Sequence, residues 1–163
     1  MKQTLILSFV ALAIVSACGV SQQTAQRRVA EQNKVTQTVR QKLDGRAYQI
    51  DINYMVPLRG GAKAVSNYSV SVDESTIDSH LPYVGEARSV PYGGGKGLTF
   101  KDKIESYTDS GWVKDKRTIV VKVKNEEDSY IYTLEVFDNG TASVRVSSRN
   151  RDEISYMGRL IME

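Results

Sequence analysis

The chain has 163 residues, 22 Lys and Arg against 19 Asp and Glu for a net charge of +3, and a single Cys and a single His. One cysteine excludes an intrachain disulfide and one histidine excludes a paired-imidazole metal site, so no metal and no cofactor is expected. The near-balanced charge lacks the dense basic patch that nucleic-acid binding requires, and no nucleic-acid partner is expected.

Residues 1–17 read as a targeting segment. Lys2 gives a short positive start, and Leu5 to Val15 is an apolar run of the length of a signal-peptide core. It is too short for the roughly 20 residues that a spanning helix needs. Val15-Ser16-Ala17-Cys18 resembles the bacterial lipobox, in which the cysteine is acylated and becomes the first residue of the mature chain. The resemblance implies that Cys18 is the lipid-attachment residue and that the membrane is met through its acyl chains. At about 0.8 kcal/mol per buried methylene, two such chains anchor stably. Gly19 and Val20 do not resemble an inner-membrane retention signal, and no acidic run resembling a surface-export signal follows. The implied location is the periplasmic face of the outer membrane.

Residues 18–44 form a basic, Gln-rich tether. Val35, Val39 and Leu43 recur every four residues and predict a helix from about Gln22 to Leu43, ended by Asp44-Gly45, with its C-terminal end resting on the domain that follows. Arg27, Arg28, Lys34, Arg40 and Lys42 against Glu31 give residues 19–43 a charge of +4, which leaves −2 for residues 44–163. Such a tether suits an anionic lipid surface, at about 1 kcal/mol per basic residue near the headgroups, or is simply a solvated linker.

From residue 45 to 163 the hydrophobic period is two. Tyr48, Ile50, Ile52 and Tyr54 predict one strand, Tyr68, Val70 and Val72 a second, Thr76 to His80 a third and Leu98 to Tyr107 a fourth, with Trp112 in a turn between Ser110-Gly111 and Lys114-Asp115-Lys116. Farther on, turn chemistry and face parity check each other. Keeping the apolar sets on one side places Val136 opposite Ala142 across a three-residue loop, Asp138 to Gly140, with Gly140 in the left-handed region. The same test gives the loop Asn125 to Asp128 between the Val123 and Tyr130 sets, and Ser148 to Asp152 between Val146 and Ile154. Eight or nine short strands then predict a mainly β fold, an antiparallel meander closing into a small barrel or, as the alternative, a two-layer sandwich, preceded by one helix.

Gly93-Gly94-Gly95-Lys96-Gly97 lacks the Ser or Thr and the following helix of a phosphate-binding loop. Tyr83 and Tyr92, with Gly93, Gly94 and Gly95, are the candidate ligand-contacting residues. The rings either line a ligand mouth or plug the barrel end with their hydroxyls on backbone carbonyls. Glu126-Glu127-Asp128 reads as a solvated turn, and Ser79 beside His80 points to the opposite strand face, so no catalytic set emerges and the chain is not expected to be an enzyme.

The strings Leu81-Pro82-Tyr83, Gly85, Pro91-Tyr92-Gly93-Gly94-Gly95 and Gly97, then Ser147-Ser148, Asn150-Arg151, Ile154, Tyr156 and Gly158, resemble a family of Bacteroidota lipoproteins of unknown function, domain-of-unknown-function family 4251 (DUF4251), over about residues 44–161. The resemblance implies an exported lipoprotein with a lipocalin-like antiparallel β-fold and carries no assigned activity or site residue. The functional expectation is a lipid-anchored, non-enzymatic envelope module binding a small apolar or amphipathic ligand. The alternative is an envelope structural or protein-interaction protein that uses its surface or a strand edge.

Overall fold

The computed structural model describes residues 18–88 and 97–162, with side chains from residue 23 onward. Tyr92, Gly93, Gly94, Gly95 and the targeting segment lie outside the described residues, as does the side chain of Cys18. The chain divides into two units, residues 1–35 and 36–163, and the border falls inside one helix, α1 (Cys18–Asp44). In the first unit the described side chains from Gln23 to Lys34 are all exposed. No helix among the described residues is long and apolar enough to cross a membrane.

The second unit joins the last turns of α1 to eight strands: β1 (Ala47–Pro57), β2 (Lys63–Asp73), β3 (Thr76–Leu81), β4 (Leu98–Val113), β5 (Lys116–Lys124), β6 (Ser129–Phe137), β7 (Thr141–Ser148) and β8 (Ile154–Leu160). Each pairs antiparallel with the next, and β8 pairs back to β1, so the meander closes into a barrel. Closure follows from the sequence pattern, because each strand carries one apolar face and a closed sheet leaves neither that face nor an outer edge in water.

The register obeys the parity argument. Val136 faces Ala142, Val123 faces Tyr130 and Val146 faces Ile154. Gly140 takes a φ of +81° and donates its N–H to the Phe137 carbonyl at 2.9 Å, which closes the three-residue loop. One expectation is corrected. Trp112 is not in a turn: β4 runs on to Val113, because a bulge between Asp109 and Trp112 absorbs Ser110 and Gly111. There Gly111 has positive φ, and the Ser110 hydroxyl donates to the Thr118 carbonyl at 3.0 Å, standing in for a ladder bond. The helix ends at Asp44 as Asp44-Gly45 predicts, and Arg46, with φ +50°, follows in the left-handed region with its guanidinium 4.5 Å from the Tyr107 ring centre.

The inward residues fill the barrel. Ile50, Val70, Ile119, Tyr132, Val144 and Tyr156 have no accessible surface, so none of them lines a void that admits water. Tyr132 donates to Ser79 Oγ at 2.9 Å and Ser79 donates to the Leu98 carbonyl at 2.7 Å, which satisfies the polar groups in the middle of the core. Each fully buried aliphatic side chain contributes about 1.5–3 kcal/mol. The last turns of α1 bury Val39 and Leu43 and are latched to the wall by Arg117, which bonds Asp44 at 2.5 Å and grips Asp109 with two nitrogens. Gly158 is required where β8 passes the irregularity in β1 between Ile52 and Tyr54. A Cβ there would overlap the Asp51 carbonyl oxygen and fall 2.8 Å from its carbon.

Candidate binding cleft at one end of the barrel

The end of the barrel opposite the Arg117 latch carries the connections 58–62, 82–97, 125–128 and 149–153. Here the two strings singled out in the sequence meet. Ala87 forms a bridge with Arg151, Arg88 N–H donates to the Asn150 carbonyl at 2.8 Å, and Asp152 N–H donates to the Glu86 carbonyl at 3.1 Å. Tyr156 donates its hydroxyl to the Pro82 carbonyl at 2.7 Å, which ties this clamp to the filled core.

Tyr83 belongs to the clamp. Its hydroxyl donates to the Glu86 carbonyl at 2.9 Å, its ring lies so close to Gly85 that a Cβ there would be 2.6 Å from the hydroxyl oxygen, and the Arg151 guanidinium stands 5.6 Å from its ring centre. Burial raises the phenol's pKa. Tyr83 thus packs on Gly85 with its hydroxyl on a backbone carbonyl. Arg151 is itself almost fully buried and bonds Glu127 at 3.2 Å, and among the described residues its Nε and Ser148 Oγ have no partner.

Beside the clamp the wall opens. β4 pairs with β3 over its whole first part, from Leu98 to Lys103, but with β5 only from Ile104, opposite Val123. Beyond that point a cleft of about 710 Å³ lies between residues 99–102 and 124–127. Its inner lining is half-buried Phe100, Asp102, Asn125 and Glu127, and its rim is exposed Thr99, Lys101, Lys124 and Glu126. The walls are held from behind. Phe100 stacks on Tyr130 at 4.8 Å, the Asn125 side chain accepts from the Glu127 and Asp128 amides at 2.9 and 3.0 Å, and Arg151 fixes the Glu127 carboxylate. Asp128, buried, accepts from the Ser129 and Asn150 amides at 2.8 and 3.1 Å. Two of the three acidic residues read as a solvated turn are therefore structural, because a tight turn leaves amide donors that short carboxylates satisfy.

Phe100 and Asp102 were not singled out in the sequence, and Asn125 and Glu127 were read only as turn residues. Alternation marks Phe100 and Asp102 as inward residues, but the cleft exists only because β5 ends one turn before β4 does. His80 is exposed against Tyr68, and among the described residues no three His, Cys, Asp or Glu side chains gather as metal ligands. On the outer wall, Tyr54 and Met157, each about half exposed, border an almost wholly apolar groove of about 460 Å³ with Phe137.

No functionally curated protein matches the chain. A crystal structure of a DUF4251 family protein from Bacteroides eggerthii DSM 20697 is similar in fold, with a TM-score of 0.61 at 14% identity over 78% of this chain and 87% of that one. A lipocalin-like description is consistent with the barrel. The family model described as a domain of unknown function, DUF4251, matches residues 30–160, starting inside α1 ahead of Val39 and Leu43. The chain belongs to the DUF4251 family.

Proposed function

We propose that this protein is a lipid-anchored, non-enzymatic cell-envelope module that holds a small amphipathic ligand in the cleft between β4 and the β5–β6 turn. The observation that carries the reading is the contrast between a filled lumen and a preorganised cleft with an aromatic ring inside a polar rim. A site of this volume lies in the usual range for small-molecule pockets, and walls fixed before binding lower the ordering cost of association. The lipobox-like Val15 to Cys18 supports anchoring by acylation of Cys18, in the periplasmic leaflet of the outer membrane. Native mass spectrometry of the full chain purified from its own envelope tests both parts. The expected result is a mature chain beginning at an acylated Cys18 and carrying a co-purified small molecule. A bare, unacylated chain would overturn the reading.

A second reading, a protein-interaction module, is supported by the apolar outer groove at Tyr54 and Met157, since exposed apolar patches on soluble domains mark contact surfaces.

A further inference from the structure

We infer that the cleft's ligand is a neutral saccharide, an inference that rests on the binding reading above. Three features of the lining select this chemistry. First, its charges are mixed: Asp102 and Glu126 stand beside Lys124 and Lys101, the latter also 4.0 Å from Asp78, and Glu127 is paired with Arg151. A phosphate or carboxylate would meet Asp102 and Glu126, and a cation would meet two rim lysines, whereas a neutral ligand meets neither repulsion. Second, the inner polar groups are two carboxylates that accept hydrogen bonds, Glu127's held in place by Arg151, and the Asn125 amide, whose oxygen already accepts from two backbone amides and whose NH2 group is left to donate. They suit a ligand dense in hydroxyl donors. Third, the one apolar surface among the inner residues is the Phe100 ring, fixed by stacking on Tyr130. A pyranose carries a face of C–H groups edged with hydroxyls, which matches a ring set among acceptors. A fatty acyl chain does not fit this lining, since it would take the Asp102 carboxylate out of water and offer it no hydrogen bond in return.

Asp102 and Glu127 supply carboxylate acceptors, and Asn125 Nδ2, Lys101 and Lys124 donate. The orientation follows, with the sugar's C–H face on Phe100 and its hydroxyl edge toward the β5–β6 turn.

Saturation-transfer NMR on the full chain in detergent tests the inference with maltose, cellobiose and chitobiose as neutral probes and lauric acid as the apolar one. The expected result is transfer from the protein to the ring C–H protons of at least one disaccharide, with affinity reduced about tenfold by Asp102→Asn and by Phe100→Leu. Asp102 is half exposed, so its variant keeps the fold, and circular dichroism checks that Phe100→Leu does too. Binding of lauric acid but no disaccharide, sensitive to Phe100→Leu, would overturn the saccharide assignment and leave the binding reading intact. Binding of neither probe class would remove both, and disaccharide binding insensitive to both substitutions would overturn the cleft as its location.

Discussion

A dry, filled lumen makes a sharp energetic demand at Ser79. Its hydroxyl both accepts from Tyr132 and donates to the Leu98 carbonyl, and neither Ser79 nor Tyr132 has accessible surface. Ser79→Ala removes the acceptor and leaves the Tyr132 hydroxyl buried without a partner, at about 1–3 kcal/mol. The Leu98 carbonyl lies on a strand paired with β3, so its loss adds less. Tyr132→Phe deletes the stranded group itself, while Ser79 still donates to Leu98, and should cost about 1 kcal/mol. The double variant should then be more stable than the sum of the single changes predicts, by about 1 kcal/mol or more. Urea unfolding of the full chain measures this as midpoint shifts at constant slope. A Ser79→Ala cost below about 0.5 kcal/mol with no coupling would mean that water reaches Tyr132, and the filled-lumen argument would fail.

Three further outcomes are expected. Gly158→Ala forces a methyl into the Asp51 carbonyl and should cost about 3 kcal/mol or more, whereas Gly61→Ala, with open space around it and no positive φ, should stay within about 0.5 kcal/mol; thermal unfolding compares them. Hydrogen bonds from Arg117 hold the Asp109 carboxyl below the usual range, so its contribution is present above about pH 4 and is lost as pH falls below that. Arg117→Met should lower stability at neutral pH by roughly 2 kcal/mol and flatten the acid limb of the stability profile. Arg151→Leu leaves Glu127 without its cation, and amide exchange of Arg88 and Asp152 should speed up while exchange within β6 stays slow.

The barrel was legible because its information is local. A strand pair with one buried face has one register that keeps both apolar sets inside, and the three loops around Tyr130, Val146 and Gly140 followed from counting. Trp112 was misplaced because a bulge at Ser110-Gly111 carries the same residues as a turn, and only the partner strand, through Thr118, distinguishes the two. Tyr83 stood out as a ring beside glycine, and the structure shows the close packing behind that pattern, with the ring against Gly85 and its hydroxyl on the Glu86 carbonyl. The cleft was invisible in the sequence. Its residues are ordinary, and it lies where the pairing of β4 with β5 stops at Ile104, a register limit that alternation does not reveal.

In-cell photo-crosslinking compares the cleft and the outer groove most directly, with a photoreactive side chain placed at Lys124 in one strain and at Met157 in another. A small-mass adduct from the Lys124 position and none from Met157 is the predicted result. Protein-sized adducts from Met157, with Lys124 silent, would contradict it and move the function to the outer wall.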